Sequence, residues 1–239
     1  MNSDNKNKDK KSREGFFYNF LYDFVKVTGA PPAFLWLRPK VYNPYKTKIP
    51  KGAVLLSSNH ITFIDPIIIL LSIPSRRLHS LATKDLYDTR LKAWLWKRMH
   101  CIQVDKSNFT LSAFHEVVQR LKRGHAVLIF PEGQINQGDK ETPQTFKSGV
   151  TLMAYKANAP ILPIYIVKKE KWYHRQRIVI GKPIYVGAQD GKIPSMQDLT
   201  AASEELRMSE IELREYFRSL PIYEKLYKSK GKEKDERKV

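Results

Sequence analysis

Short apolar segments alternate with helical segments from residue 51 to residue 186, and this alternation constrains the fold more than any other feature of the chain. The pattern predicts strands at 53–57, 78–82, 102–104, 126–130, 161–167 and 177–186, and helices after Asp65 and at 86–98, 111–121, 146–157 and 195–220. Such an order is typical of an α/β fold with a largely parallel central sheet flanked by helices. In the last helix, we expect Leu199, Leu206, Ile211, Leu213 and Phe217 to form the packing face. No linker is long enough to divide the sheet, so residues 41–222 are predicted to form one domain, followed by a basic tail at 223–239.

The first 40 residues differ from the rest, with a polar start and then an apolar, aromatic stripe at helical spacing. The stripe comprises Phe16, Phe17, Phe20, Leu21 and Phe24. Pro31 and Pro32 are predicted to end this helix, and a second short segment with Trp36 leads to Arg38 and Lys40. Aromatic rings beside cations are typical of helices that lie at a membrane surface. An ordinary helix that packs on the core is the alternative.

The charge balance indicates an anionic partner. Lysine and arginine total 42 against 24 acids, a formal net charge of +18, and most of the excess lies outside the two tails. A nucleic acid, a phospholipid surface or a phosphorylated small molecule would each fit. With 42% hydrophobic residues the composition is globular and excludes a disordered chain. The single cysteine, Cys101, excludes an internal disulfide and suits a reducing compartment.

Targeting features are not apparent. No apolar run reaches the 18 or so residues that a membrane-spanning helix needs. The N-terminus has no apolar stretch and no small-residue cleavage site, so it does not look like a secretory signal. We therefore expect a cytoplasmic protein.

Motifs for a metal or a nucleotide are not apparent either. The histidines lack metal-binding spacing, so no metal site is predicted. No glycine-rich phosphate loop is present.

A histidine and an aspartate follow the first strand of the alternation. His60 and Asp65 flank the turn between that strand and the next helix, and the carboxyl ends of strands are where α/β sheets place their sites. A histidine becomes a base for a hydroxyl when a carboxylate holds its second nitrogen. The alternative is a structural pair that caps the helix. A second carboxylate, Glu132, follows the strand at 126–130, between Pro131 and Gly133, where an ordinary surface glutamate is the alternative.

Together these residues resemble the glycerolipid acyltransferase family typified by 1-acyl-glycerol-3-phosphate acyltransferases. Asn59-His60 with Asp65, and Phe130-Pro131-Glu132-Gly133, resemble its first and third blocks. The second block is similar to Lys84-Asp85-Leu86 followed by residues 102–106, and the fourth to residues 159–164. The N-terminal helices are similar to the membrane-docking helices of bacterial members.

The resemblance implies transfer of a fatty acyl group from acyl carrier protein or coenzyme A to a lysophospholipid hydroxyl, with 1-acyl-glycerol-3-phosphate the expected acceptor. The thioester is a co-substrate and no other cofactor is expected. His60 would take the hydroxyl proton and Asp65 would hold the imidazole. Asn59, Glu132 and Gly133 would help to bind the acceptor. The membrane-binding residues would be Phe16, Phe17, Phe20, Leu21, Phe24 and Trp36, which implies a peripheral protein on the inner face of the cell membrane with anionic lipids as partners.

Two departures from the family pattern affect the acceptor. The third block continues with Gln134-Ile135 where Thr-Arg is usual, and the second ends in Lys106 where arginine is usual. Lys84, Lys106 and Lys147 are the candidates to bind the phosphate instead, although lysine offers a point charge rather than a fork of donors. For each of the three, a surface lysine that serves only solubility is the alternative. Another lysolipid or polar acceptor is therefore an alternative. A non-catalytic lipid-binding domain and a nucleic-acid-binding domain are weaker ones, the latter because no nucleic-acid-binding module is recognisable.

Overall fold

A seven-stranded, mostly parallel sheet forms the centre of the protein. The structure, a computed structural model, describes residues 16–104, 111–138, 143, 146, 148–169, 171, 173–187 and 194–228, with side chains from residue 19 onward. The strands are β1 (Lys40–Tyr42), β2 (Val54–Ser58), β3 (Leu78–Thr83), β4 (Ile102–Val104), β5 (Ala126–Ile129), β6 (Ile161–Val167) and β7 (Arg177–Ile180). Their order across the sheet is β1-β7-β6-β2-β5-β3-β4. Only β6 and β7 pair antiparallel, so the predicted α/β class with a largely parallel sheet is confirmed.

Six helices accompany these strands in the described part of the chain. They are α1 (Phe16–Leu37), α2 (Asp65–Ser72), α3 (Arg90–Arg98), α4 (Leu111–Lys122), α5 (Gly149–Ala157) and α6 (Met196–Ser219). A 3₁₀ turn at Lys84–Tyr87 precedes α3, and helical turns at Pro221–Tyr223 and Glu224–Lys228 follow α6. The six predicted strands and the later helices are therefore present, with bounds that shift by a few residues at several ends. The largest difference is at 177–186, where the strand ends at Ile180 and Ile184 forms only an isolated bridge with Ile161.

The core lies on both faces of the sheet because side chains alternate along each strand. Leu56 and Leu128 point to the face covered by α1 and α2. Their neighbours Leu55 and Val127 point to the face covered by α4, α5 and part of α6. All four side chains are fully buried, and each contributes about 1.5–3 kcal/mol by leaving water.

The strand directions define two edges of the sheet. At the carboxyl edge β2, β3, β4, β5 and β6 end, and at the amino edge they begin. Since β1 and β7 run the opposite way, β1 begins at the carboxyl edge. Helix α1 therefore crosses one face of the sheet. Near its start the Leu78 amide donates to the Tyr22 hydroxyl at the amino edge, and at its end the Gln176 amide donates to the Leu37 carbonyl.

The prediction that Pro31 and Pro32 end the first helix is wrong. Both prolines lie inside α1, which runs without interruption to Leu37. Each proline removes a backbone donor and costs about 3 kcal/mol inside a helix. Burial of Tyr22 and Leu37 on one face of α1, with Ala30 and Ala33 packed between them against the core, offsets this cost.

Candidate active site

The turn after β2 brings His60 and Asp65 into direct contact. Nδ1 of His60 lies 2.8 Å from Oδ2 of Asp65, whose side chain is fully buried. Asp65 is the first residue of α2, and its carboxylate also accepts bonds from the Ile61 and Thr62 amides at 2.7 and 2.9 Å and from the Thr62 hydroxyl at 2.6 Å. A carboxylate surrounded by donors acts as an acceptor, so Nδ1 of His60 carries the proton in this bond, and in the neutral tautomer with that proton the lone pair is on Nε2.

The loop after β5 holds the other side of the histidine. The Phe130 ring stacks on the His60 ring with centroids 4.0 Å apart and planes 13° from parallel. The Asn136 amide donates to the His60 carbonyl at 2.8 Å. Because β2 and β5 are adjacent and parallel, the two sequence motifs end at the same edge of the sheet. The imidazole is therefore fixed from two sides, and its side chain stays 17% exposed.

Asn59 ties the turn to the neighbouring strand β6. Its side-chain amide donates to the Ile166 carbonyl at 3.0 Å and accepts from the Ile166 amide at 2.7 Å. These two bonds have the donor and acceptor pattern of a strand pairing, and they lie just beyond the end of β2. Asn59 is 2% exposed, so the structure places it as a support of the turn.

Glu132 lies in the loop after β5 and is buried, with 6% of its surface exposed. Gly133 follows it with φ of +74°, a backbone conformation that residues with a side chain rarely adopt. The amide of Gly133 donates back to the Phe130 carbonyl, which closes a tight turn. The predicted carboxylate is therefore held on a defined turn at the carboxyl edge, beside the loop residues that contact His60.

Glu210 is a third buried carboxyl group at this edge, and no sequence motif predicts it. Helix α6 supplies it, and its Oε1 accepts a 2.7 Å bond from the Ser57 hydroxyl, three residues before His60. Burial raises the pKa of Glu210 well above its usual range, the Ser57 bond lowers it, and the charge of Glu132 raises it further. Burial therefore favours the protonated, neutral form of this side chain.

One feature of the sequence could have revealed Glu210. The buried positions of α6 recur at helical spacing and are Leu199, Ser203, Leu206, Glu210, Leu213 and Phe217. Glu210 therefore occupies a position where the pattern predicts an apolar residue. Ile211, which we expected on the packing face, is only partly buried.

The predicted phosphate-binding lysines are only partly covered by the structure. Lys84 is exposed and begins the 3₁₀ turn directly after β3, at the same edge as His60. Lys106 and Lys147 lie outside the described residues. Within the described ranges, no group of three histidine, cysteine, aspartate or glutamate side chains could hold a metal ion.

Residues 38–167, more than half of the chain, match the sequence profile of the family described as Acyltransferase. The chain belongs to this family. The match includes His60, Asp65 and Glu132, whereas α1 precedes it and Glu210 follows it. The chain is therefore an acyltransferase, which confirms the family resemblance predicted from the four motif blocks.

Curated relatives agree with this assignment. The chain is 28% identical over 184 residues to the 1-acyl-sn-glycerol-3-phosphate acyltransferase of Bacillus subtilis, covering 72% of this chain and 87% of that protein. It is 32% identical over 160 residues to a probable 1-acyl-sn-glycerol-3-phosphate acyltransferase of Mycoplasma pneumoniae, covering 60% of this chain and 56% of the relative.

A solved structure shares the fold. The 1-acyl-sn-glycerophosphate (LPA) acyltransferase of Thermotoga maritima aligns with a TM-score of 0.61 and 20% identity, over 85% of this chain and 82% of that chain. The fold of this chain is therefore similar to that of a solved acyltransferase.

Proposed function

We propose that this acyltransferase moves a fatty acyl group from a thioester to the free hydroxyl of 1-acyl-glycerol-3-phosphate, with His60 as general base. The observation that carries the proposal is the 2.8 Å contact between His60 and the buried Asp65 at the carboxyl edge. The names of the curated relatives support the acceptor. The thioester donor is either acyl-coenzyme A or acyl carrier protein.

The reaction then follows from the tautomer of His60. Nε2 takes the proton of the acceptor hydroxyl while the hydroxyl oxygen attacks the thioester carbonyl carbon. The tetrahedral intermediate collapses, the C–S bond breaks, and the leaving thiolate takes the proton from the imidazolium. Asp65 stabilises the imidazolium through Nδ1 and remains ionised. No acyl-enzyme forms, because the hydroxyl attacks the donor directly.

The predicted binding residues hold the acceptor in this proposal. Lys84, together with Lys106 and Lys147, binds the phosphate, and Glu132 on the Gly133 turn orients the polar part of the lysolipid. Asn59 acts indirectly, since its side chain is committed to Ile166. Single charges hold a phosphate with less geometric discrimination than an arginine fork. We therefore expect a looser preference for the phosphate acceptor than in family members with both arginines.

A peripheral position on the membrane is the second part of the proposal. The outward side of α1 exposes apolar side chains, opposite the buried stripe that ends at Leu37; they are Phe20, Phe24, Val27, Phe34, Leu35 and Trp36. We call these six residues the α1 outer face. Its last three members lie near the carboxyl edge, where Phe63, in the turn between His60 and Asp65, is 82% exposed. None of the helices in the described part of the chain is long and apolar enough to cross a membrane.

Charge complementarity favours an anionic bilayer as the occupant of this face. Arg38 and Lys40 follow α1 directly and are exposed, and the whole chain carries +18. Each cation near an anionic surface contributes about 1 kcal/mol, and salt screens the attraction. A membrane-bound enzyme would meet its lysolipid in the bilayer, with the cytoplasmic leaflet as the expected surface.

A product screen tests the catalytic proposal. Purified protein is given acyl-coenzyme A or acyl carrier protein thioester with lysophosphatidic acid, lysophosphatidylcholine or glycerol 3-phosphate, and products are identified by mass spectrometry. We expect phosphatidic acid from lysophosphatidic acid. If product formed only from lysophosphatidylcholine, the proposed acceptor would be wrong, whereas the acyltransferase activity would stand.

Vesicle binding tests the membrane proposal. The double variant Phe20→Ser with Phe24→Ser should bind more weakly to vesicles of phosphatidylcholine and phosphatidylglycerol. The reason is that it lacks two exposed rings that would move from water into the bilayer on binding. Leu111→Ser is the matched control, since Leu111 is 71% exposed at the start of α4 on the other face. Equal binding by the double variant and the control would refute the role of the α1 outer face.

A further inference from the structure

A basic cleft lies at the amino edge of the sheet, away from the proposed catalytic residues. It has a volume of about 740 Å³, and one wall is α1 while the other includes the starts of β3 and β5. His60 follows the carboxyl end of β2, so the two regions are separated by the length of a five-residue strand, roughly 15 Å at 3.3 Å per residue. The cleft is therefore a second region with its own chemistry.

Positive charge dominates the lining of this cleft. Its five cationic side chains are Lys26, Lys51, Arg76, Arg77 and Arg120. The described lining residues include one carboxylate, Asp23, and this is already paired with Arg77 at 2.6 Å. Arg120 is paired in the same way with Glu116 of α4 at 2.9 Å. With neutral histidines, the five cations and these two carboxylates leave a net charge of +3 around the cleft.

Two of these cations are partly buried without a carboxylate partner. Nζ of Lys26 donates to the carbonyls of Pro74 and Arg76. The Arg76 guanidinium donates to backbone carbonyls, which are those of Pro50, Gly52 and Gly124. Neither forms a salt bridge with a described carboxylate, and burial lowers the pKa of both. Carbonyls satisfy the hydrogen bonds of these two groups but carry no full negative charge, and the carboxylate that acts on Lys26 is Asp23, which is already paired with Arg77. A bound anion would supply a further countercharge.

Three histidines in ring contact line the floor of the cleft, and two of them, His79 and His100, are stacked. His79 lies between His100 and His125, with centroids 4.7 Å from each, and Tyr22 of α1 stacks on His100 at 4.6 Å. Burial first, and then neighbouring charges that include Arg120, lower the pKa of His79 to about 2 and that of His100 to about 4. Nδ1 of His79, which is 2% exposed, has no hydrogen-bond partner among the described residues.

We propose that this cleft, formed by Lys26, Lys51 and Arg76 above the His79 floor, binds a phosphate group. Phosphate suits the site because it is a multiply charged anion that accepts bonds from several lysine and arginine donors. The phosphate belongs either to a lipid headgroup or to a soluble phosphorylated molecule. The lipid source rests on the proposed membrane position of α1, which forms one wall, whereas the site itself does not depend on the proposed catalysis.

Inorganic phosphate is the first probe. The full chain is labelled with ¹⁵N at its six histidines, and imidazole signals are followed during a phosphate titration. We expect saturable shifts of the His79 and His100 signals. In Lys51→Gln, saturation should need about ten times more phosphate, in line with the loss of one charge-assisted bond. Lys51 is exposed, so this change does not endanger the fold.

Lys48→Gln is the matched control, because Lys48 is an exposed lysine three residues away that does not line the cleft. The phosphate concentration that saturates the shifts in this variant should lie within about twofold of the wild-type value. Equal weakening in both variants would mean a general charge effect and would overturn the site. So would the absence of a saturable shift at His79 and His100 in the wild-type chain.

Two further arms distinguish the source of the phosphate. The same variants are tested with glycerol 3-phosphate and with phosphatidylcholine vesicles that contain or lack phosphatidic acid. A Lys51→Gln defect on phosphatidic acid vesicles assigns a lipid headgroup, and a defect confined to glycerol 3-phosphate assigns a soluble molecule. If Lys51→Gln shows no defect with either probe, the site is refuted.

Acyl transfer is measured in parallel. Wild-type protein that binds phosphate here without acyl transfer would overturn the proposed function and leave the cleft site standing.

Discussion

The two edges of the sheet both hold histidines, and their surroundings are opposite. At the carboxyl edge, His60 is partly exposed and hydrogen-bonded to Asp65. At the amino edge, His79 and His100 are 2% and 3% exposed, and Arg120 is among the charges that act on both. The ring neighbours differ as well, since His60 stacks on Phe130 while His79 stacks on His100.

The difference shows that burial alone does not make a histidine a base. A carboxylate on one ring nitrogen stabilises the protonated form, so the other nitrogen can accept a proton. Burial beside cations destabilises the protonated form and keeps the ring neutral. The carboxyl edge thus has the arrangement that the proposed proton transfer requires, whereas burial at the amino edge favours neutral, stacked rings.

Removing the proposed base should produce the largest effect. His60→Ala is expected to lower the acyl transfer rate about 10² to 10⁴-fold, because general-base catalysis contributes that much. Asp65→Asn should lose most of the activity through the wrong tautomer. His115→Ala is the matched control, since His115 is exposed on α4. Wild-type turnover by His60→Ala would refute the proposed mechanism, and a lowered melting temperature in that variant would instead favour a structural role of the pair.

The amino-edge histidines should make the protein sensitive to acid. An unfolded histidine binds a proton near pH 6.5, whereas native His79 and His100 do so only near pH 2 and 4. The free energy of unfolding should therefore fall as pH drops below 6.5, by about 2 kcal/mol for each at pH 5.

Chemical denaturation between pH 7 and pH 5 measures this loss. His100→Phe keeps an aromatic ring in the stack and should remove its share of the pH dependence, while His115→Phe should leave the slope unchanged. An identical slope in wild type and His100→Phe would show that the burial of His100 does not control its protonation.

Glu210 should give the opposite dependence on pH at the carboxyl edge. Its native pKa is raised by burial, so the unfolded chain ionises first as pH rises above about 4.5. The free energy of unfolding should then fall by about 1.4 kcal/mol per pH unit until the native group also ionises. Glu210→Gln cannot ionise and should lack this slope. Glu212→Gln, an exposed neighbour on α6, should keep it. A matching slope in both variants would show that Glu210 is ionised in the native protein.

Much of the fold was predictable because it is encoded locally. Strands β4 and β6 have the bounds that their apolar runs predict, and the His60–Asp65 contact follows from a turn of four intervening residues. Strand β1 was missed because Lys40–Tyr42 is short and mostly exposed, and it is a strand only through its pairing with β7. The continuation of α1 through Pro31 likewise depends on the surface beneath it.

The sequence by itself determined the alternation of strands and helices, the turn that pairs His60 with Asp65, and the motif order that identifies the family. Each of these depends on residues close together in the chain, so spacing and residue type suffice. Only the tertiary structure decided that Glu210 lies beside Ser57, 153 residues away, and that Tyr22 joins the histidine stack at the amino edge. Contacts of this kind depend on which faces meet when the layers pack, and burial then sets their protonation.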